Sequence, residues 1–317
     1  MEQLLSGAKL ATNSAIKRKT TLDKAVHGVL FVITLLCASI IVFIVLFIVI
    51  KGSSPFLKNY SIGGNLYKVN LWTFLVGSEW YVYPAKYGVG FIIVDTFYVV
   101  FLSLLIAVPI SVLTALFISR IAPKVIGKAL SYVIELLASI PSIIYGLFGR
   151  AKITEGVKWV SSLFGYQSAG GISAMSTVIV LAIMILPTIT LLSLTAINAV
   201  RDDIIKGSLA LGASPTQTNF KLVLRGAKSG IFSGIILGVG RALGEATAVS
   251  KVAGNAGTGP SFNLFDTTRT LTSTMLLGLN ETSGLDYDIR FSVGIILILM
   301  ILLTNLLLTL LKRSIGK

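Results

Sequence analysis

Six long apolar runs constrain the fold of this 317-residue chain more than any other feature of its sequence. Each run has about 18 or more mainly apolar residues, enough for a helix to cross the hydrocarbon core of a bilayer. The runs lack the period-two alternation of a transmembrane barrel, so helices are the remaining spanning elements. We predict an all-α polytopic membrane protein with spans at 28–50, 91–118, 129–149, 172–197, 229–250 and 291–311.

Composition and charge support this fold class and predict its orientation. With 54% hydrophobic and 13% charged residues, the chain is too apolar for a soluble domain. Lys17, Arg18, Lys19 and Lys24 precede the first run, and no small-residue cleavage site follows it, so we predict an uncleaved first span. The formal charge of +14 follows the proposed inside segments instead of forming one patch. This distribution predicts two cytoplasmic termini in a lipid bilayer, and no nucleic-acid partner.

The sequence lacks the residues that are characteristic of several classes of function. Cys37 and His27 are each single, so neither an internal disulfide nor a zinc-type ligand set is expected, and we predict no metal and no cofactor. We find no catalytic nucleophile. The phosphate-binding motif of ATPases, G-x-x-x-x-G-K-[ST], is also missing, so any ATP hydrolysis belongs to another polypeptide.

Two ionisable residues, Arg241 and Glu245, lie inside the fifth apolar run. A charge at bilayer depth costs about 2.5–3.5 kcal/mol on insertion scales, so such residues usually face a bundle interior or a water-filled path. Their spacing of four predicts that both lie on one helix face. A pathway role and a structural Arg–Glu pair that locks two helices are both compatible with this pattern.

Glycines and prolines mark the expected packing and bending of the spans. A glycine at every fourth position forms a small-residue stripe, which predicts close contact with another helix of this chain or of a second permease-like subunit: Gly226, Gly230, Gly234 and Gly238. Pro109, Pro141 and Pro187 lie in the second, third and fourth predicted spans. We expect each proline to kink its span.

The segment 198–228 is the longest predicted inside segment and has the pattern of two short helices along the cytoplasmic surface, broken at Gly212 and Pro215. Its apolar residues require a cover, either the spans of this chain or a cytoplasmic subunit. The segment resembles the coupling loop of ABC-importer permeases through Gly207-Ser208, Gly212 and Leu222–Leu224. It departs from that motif at Lys206 and Arg225, where the family usually has glutamate and proline.

Two further segments carry a more specific resemblance. Residues 135–149 (ELLASIPSIIYGLFG) and 238–249 (GVGRALGEATAV) are similar to segments of phosphate ABC permeases, most closely the PstC-type subunit. Residues 104–111 also resemble that family. Together these matches cover the chain from about residue 90 to 311.

The resemblance implies a type I ABC-importer permease in the cell membrane that forms a phosphate path by alternating access. The implied partners are a second phosphate permease, two cytoplasmic ATPase subunits and an extracytoplasmic phosphate-binding protein. The implied path residues are Arg241, Glu245 and Glu135. The implied contacts to the ATPase are Lys206, Gly207, Ser208, Leu211 and Gly212.

The expected organisation follows the spans. It comprises a cytoplasmic tail over 1–27, a first span with its outer loop over 28–90, a permease core over 91–311 with the coupling loop 198–228, and a tail over 312–317. A permease for sulfate, molybdate or another oxyanion is the nearest alternative. An ion-coupled secondary carrier or a channel is also compatible with an intramembrane Arg–Glu pair, although we find no internal repeat of the kind such carriers show.

Overall fold

A computed structural model describes residues 2–62, 64–83 and 85–316, with side chains from residue 23 onward except at 62, 65, 315 and 316. The side chains of most of the predicted tail 1–27, and the last residue of the tail 312–317, lie outside this description. The chain divides into two units, 1–51 and 52–317. The first unit is helical throughout its described residues, as part of α1 (Glu2–Leu57), and nearly all of its apolar side chains between Val26 and Ile50 are exposed.

The second unit begins with small elements in the predicted outer loop. Two antiparallel strand pairs flank a short helix there, and their bounds are β1 (Tyr60–Ile62), β2 (Asn65–Tyr67), α2 (Leu71–Val76), β3 (Trp80–Tyr81) and β4 (Lys86–Tyr87). Asn70 caps α2 by accepting from two of its backbone N–H groups. The segment is therefore an ordered cap of strands and a helix attached to an otherwise helical protein.

Five described helical stretches are long and apolar enough to cross a membrane: Asp23–Leu57, Gly90–Ile121, Ala174–Asn198, Pro215–Gly244 and Gly284–Ser314. In chain order these include α3 (Gly90–Leu116), α7 (Ala174–Asn198), α10 (Leu224–Gly244) and α13 (Gly284–Gly316). The prediction of a multi-pass helical membrane protein is confirmed.

The core of the second unit forms where α7 packs between α3 and α10. On α3, the small residues Ser103, Ala107 and Ser111 recur every four positions and are fully buried. The Ser103 hydroxyl donates to the Val178 carbonyl at 3.1 Å, and the Ser111 hydroxyl donates to the Leu186 carbonyl at 3.0 Å. Small side chains thus bring the two helices close together, and their hydroxyls bond across the contact.

The third predicted span, 129–149, is a bent pair of helices. The elements are α4 (Lys124–Ser139), α5 (Ser142–Phe148), a π-helical turn over Gly149–Ile153, and α6 (Thr154–Leu163). The two halves meet at 93°. Pro141 cannot donate a backbone hydrogen bond, and it holds Ile140 in an extended conformation, which ends α4. The helical structure extends past residue 149, the predicted end of this span, to Leu163.

Pro109 and Pro187 lie inside α3 and α7 without breaking either helix, whereas Pro141 marks the sharp bend. The predicted coupling loop 198–228 is largely helical. It contains α8 (Asp202–Ala210) and α9 (Pro215–Gln217), after which a π-helical turn (Thr218–Val223) leads directly into α10. The breaks at Gly212 and Pro215 are present. The second half of the segment is continuous with α10 and is not a separate helix.

The predicted fifth span, 229–250, also ends earlier than expected. The helix stops at Gly244, and a separate short helix α11 (Thr247–Val252) follows. The long segment before α13 contains α12 (Leu271–Leu276), which packs against α13. Two of the helix breaks, at 140–141 and 245–246, lie close to each other, because α5 and α11, which follow them, pack together.

Candidate functional site

The prediction that Arg241 and Glu245 share one helix face is wrong. Arg241 lies in the last turn of α10, but Glu245 has an extended backbone with φ −78° and ψ 113°, just beyond the helix end. The i, i+4 geometry requires a helix through both residues. Here the chain leaves the helix between them, so their side chains are held by different neighbours.

Arg241 is held by a hydroxyl. Its Nη1 donates to Thr188 Oγ1 on α7 at 2.7 Å. Arg241 is partly exposed and forms no ion pair within the described part of the chain. A guanidinium has five N–H donors, so most of the donors of Arg241 remain available to a ligand.

Glu245 is buried, and both its carboxylate and its backbone carbonyl accept hydrogen bonds from residues that follow it in the chain. Its Oε1 accepts from Thr247 Oγ1 and from the backbone N–H of Ala248, each at 2.9 Å. Its backbone carbonyl accepts from Thr272 Oγ1 of α12 at 2.8 Å. Glu245 therefore caps α11 instead of pairing with Arg241. Glu135 is exposed on α4 and contacts neither residue.

The α5 side of the site contributes hydroxyl and backbone groups. Ser142 Oγ lies 2.9 Å from Thr247 Oγ1, and the Tyr145 hydroxyl donates to the Leu137 carbonyl at 2.7 Å, across the α4–α5 bend. At Gly146, an added Cβ would lie 2.7 Å from the Cα of Ala248, so the two backbones touch. Sequence reasoning missed Thr188, Ser142 and Thr247. The position of Ser142 and Thr247 at the first residue of a helix after a break was the available signal.

The glycine stripe of α10 faces α7 within the same chain. An added Cβ would lie 2.4 Å from Ala196 at Gly230, 3.1 Å from Leu192 at Gly234, 2.8 Å from Ile189 at Gly238 and 3.4 Å from Val200 at Gly226. Real Cβ atoms do not approach other atoms as closely as the shortest of these distances. Side chains at these positions would push the two helices apart.

The predicted coupling loop contains a turn over residues 211–214, between α8 and α9, which we call the elbow. It lies at the start of the helical stretch Pro215–Gly244, whose last turn contains Arg241. Leu211 is 91% exposed, and Gly212 has φ +84°, which favours glycine because it lacks a Cβ. Ser214 and Gln217 then form a reciprocal capping box that starts the next helix. Lys206 and Gly207 lie on α8 before this elbow.

Two contacts fix α8 against the spans. Ser208 Oγ lies 3.0 Å from Thr218 Oγ1, which connects α8 to the helix after the elbow. Arg120, at the C-terminal end of the helical stretch Gly90–Ile121, donates to the Ile197 carbonyl at 3.0 Å and lies 3.8 Å from a carboxylate oxygen of Asp202. Together, α8 and the elbow are thus attached to the neighbouring ends of three long apolar helical stretches.

A buried ionic group lies at the opposite end of the second unit. Arg290 pairs with Asp286 at 3.0 Å, both side chains being 8% exposed, and it also donates to the Thr274 carbonyl. Arg269 donates to two backbone carbonyls and lies over the ring of Trp80. Burial, followed by the positive charge of Arg290, lowers the pKa of Arg269 to about 10, so it stays protonated at neutral pH.

Residues 91–317 match the family described as "Binding-protein-dependent transport system inner membrane component". A probable ABC transporter permease protein, YqgH, of Bacillus subtilis (strain 168) is 36% identical over 262 residues, or 81% of this chain and 80% of that protein. The phosphate transport system permease protein PstC of Pasteurella multocida (strain Pm70) is 36% identical over 242 residues, or 72% of this chain and 75% of that protein.

Solved structures agree on the fold. The crystal structure of a bacterial alginate ABC transporter with its alginate-bound periplasmic protein aligns with 90% of this chain and 95% of the matched chain, at a TM-score of 0.59 and 16% identity. An inward-facing MetNI methionine ABC transporter aligns with 73% of this chain at a TM-score of 0.51 and 19% identity. This chain belongs to the family of inner-membrane components of binding-protein-dependent transport systems and is a multi-pass permease subunit of an ABC importer.

Proposed function

We propose that this chain is a permease subunit of an ATP-driven phosphate importer and that Arg241 contacts the anion in its path. As a permease of this family, the chain works with an ATPase and a substrate-binding protein. We infer that these are two cytoplasmic ATPase subunits and an extracytoplasmic phosphate-binding protein, with a second phosphate permease that completes the path. The PstC relative of Pasteurella multocida, a phosphate permease by name, supports this substrate.

The main support for a role of Arg241 in the path is that its guanidinium bonds one hydroxyl and keeps its other donors available. A cation inside a span without a carboxylate is costly unless water or an anion offsets it. A guanidinium presents a planar fork that matches phosphate oxygens in two parallel hydrogen bonds. The hydroxyl of Thr188 fixes one arm of this fork and adds no negative charge that would compete with phosphate.

The other predicted path residues have different roles in this proposal. Glu245 supports the path by capping α11, because its carboxylate is already occupied. Glu135 remains a proposed path residue because it lies on α4, less than two turns before the bend that borders the site. Sulfate and molybdate are the second candidate substrates, since each is a tetrahedral anion with oxygens that the same guanidinium can bind.

We propose that transport proceeds by alternating access and that movement of the ATPase subunits is passed to this chain at the elbow, around Leu211 and Gly212. Lys206, Gly207 and Ser208 lie on the helix before the elbow and would follow the ATPase subunits. The helical stretch Pro215–Gly244 runs without a break from the elbow to Arg241, so it can carry a displacement from the cytoplasmic side to the path. The proposed layout keeps both termini in the cytoplasm, the permease core at 91–311 and the coupling segment within 198–228.

Uptake of labelled phosphate in cells that lack this chain tests the proposal. We expect wild type to restore uptake and Arg241→Gln to restore less than a tenth of it at equal membrane abundance. Arg150→Gln is the matched control, because Arg150 is exposed and its side chain has no hydrogen-bond or ion-pair partner in the described chain. Excess unlabelled sulfate or molybdate should leave the restored uptake unchanged.

Three results of this uptake experiment would contradict a part of the proposal. Equal restoration by Arg241→Gln would remove Arg241 from the path and leave the substrate assignment intact. Competition by sulfate or molybdate, or failure of wild type to restore phosphate uptake, would overturn the phosphate assignment in favour of another oxyanion.

A further inference from the structure

Three side chains connect the two helix breaks of the second unit. Ser142 begins α5 after the first break, Thr247 begins α11 after the second, and Glu245 lies inside the second break. The Ser142 and Thr247 hydroxyls lie 2.9 Å apart, and Thr247 lies 2.9 Å from Glu245 Oε1. We call these three residues the hydroxyl relay.

The direction of each hydrogen bond in the relay follows from counting protons. The Thr247 hydroxyl has one proton, and it donates that proton to Glu245 Oε1. The hydroxyl of Ser142 must then be the donor in its bond with Thr247. Loss of the Thr247 hydroxyl therefore leaves the Ser142 donor and one bond to the Glu245 carboxylate unsatisfied at the same time.

The relay lies where the surrounding backbone leaves little room for independent movement. Gly146 of α5 touches the backbone of Ala248 in α11. The Glu245 carbonyl is bonded to Thr272 of α12, so the second break is also fastened on its far side. Glu245 directly follows the helix that ends with Arg241 in its last turn.

We propose that Thr247 is a positioning residue whose hydroxyl joins the two helix breaks, so that α5, α11 and the end of α10 with Arg241 move as one body during transport. This inference rests on the proposed function, because it assigns a role to the surroundings of Arg241 in the transport cycle. Without the relay, the ATPase still hydrolyses ATP, but its movement no longer moves both sides of the path together.

The test measures ATP hydrolysed per anion imported by the complete importer, reconstituted with its ATPase and binding protein. Thr247→Val should raise this ratio about tenfold, the size that corresponds to the loss of one hydrogen bond. Ser142→Ala should raise it in the same direction. The double variant should be no worse than Thr247→Val, because both substitutions break the same connection. Thr247→Ser keeps the hydroxyl and should remain within about twofold of wild type.

Thr177→Val is the matched control. Thr177 is fully buried, but its hydroxyl bonds to the Ser173 carbonyl beside its own helix and makes no contact between breaks. We expect a wild-type ratio. Additive effects of Ser142→Ala and Thr247→Val, an unchanged ratio in Thr247→Val, or an equal rise in Thr177→Val would overturn the proposal. Loss of Thr247→Val from the membrane, with Thr177→Val retained, would assign the relay to folding and also overturn it.

The outcome is separable from that of the proposed substrate. The ratio is measured with whichever oxyanion the wild-type importer carries. If wild type imports sulfate instead of phosphate, the substrate proposal fails, and the double-variant comparison still decides whether the relay couples the two breaks.

Discussion

At the scale of single residues, the partners of Arg290 and Arg241 distinguish a charge that is neutralised within the protein from one that is available to a ligand. Arg290 is bound by the carboxylate of Asp286 and by backbone carbonyls, so its charge is neutralised inside the protein. Arg241 is bound by the hydroxyl of Thr188 and keeps its full charge. The sequence places both arginines in or beside apolar runs. Their different roles become visible only through these partners.

The Arg290 pair provides the first prediction. Asp286→Asn leaves a buried guanidinium without its carboxylate, and breaking a buried ion pair in this way typically costs about 3–5 kcal/mol. We expect a large loss of thermal stability in the purified chain, measured as a lower unfolding temperature in detergent. Asp203→Asn is the control, because Asp203 pairs with Arg201 in an exposed pair that should contribute little. Equal effects of the two substitutions would contradict this reading of the buried pair.

At the scale of elements, the elbow before Pro215 depends on the conformation of one glycine. Gly212 has φ +84° and open space around it, so a side chain there meets backbone strain but no clash. Gly212→Val should cost about 1–2 kcal/mol in this conformation and distort the elbow. We expect anion uptake to fall several-fold while ATPase activity of the complex continues.

Gly156→Ala separates this effect from a general sensitivity of exposed glycines. Gly156 also has open space around it, but it lies inside α6, where alanine is favoured. Its uptake should equal that of wild type. Wild-type uptake in Gly212→Val, measured at equal membrane abundance, would rule out a coupling role for the elbow.

The contact between α10 and α7 gives a prediction about packing. Gly230→Val would place a branched side chain where even a Cβ lies 2.4 Å from Ala196, so the helices must separate. Overpacking of this kind costs about 1–3 kcal/mol. We expect a lower unfolding temperature for the purified chain. Gly240→Val on the same helix is the control, since nothing lies within 4 Å of its added Cβ, and equal destabilisation would contradict the assignment.

Hydropathy identified most spanning helices because lipid exposure is a property of local sequence. It placed the second and fourth spans, 91–118 and 172–197, within a few residues of Gly90–Ile121 and Ala174–Asn198. The helix end at Gly244 was missed because tertiary partners distant in sequence hold the break: Thr272 of α12 bonds the Glu245 carbonyl, and Ser142 of α5 lies against Thr247. Local sequence also treats Pro109, Pro141 and Pro187 alike, whereas only the surroundings of Pro141 let the chain bend by 93°.

At the scale of the whole molecule, the bent pair decides how many times the chain crosses the membrane. With the pair as one crossing the chain has six spans, and the termini lie on the same side. Basic residues around the first span predict that this side is the cytoplasm. A reporter that is active only in the cytoplasm, fused after Arg313, should therefore be active, whereas the same reporter inserted after Gly257 should be inactive. The reverse result at Arg313 would make the bent pair a re-entrant loop.

The unbroken helix from Pro215 to Arg241 has a mechanical consequence. At a rise of about 1.5 Å per residue, its 26 steps give a rod of about 40 Å. Because the glycine stripe packs this rod closely against α7, the two helices form a stiff lever arm that pivots at the elbow. A tilt of about 5° at the elbow would then carry Arg241 about 3 Å sideways along the arc of that lever. Thr188 lies on α7 and would travel with Arg241, so a small tilt at the elbow suffices to move the guanidinium, with its hydroxyl partner, relative to the groups opposite them.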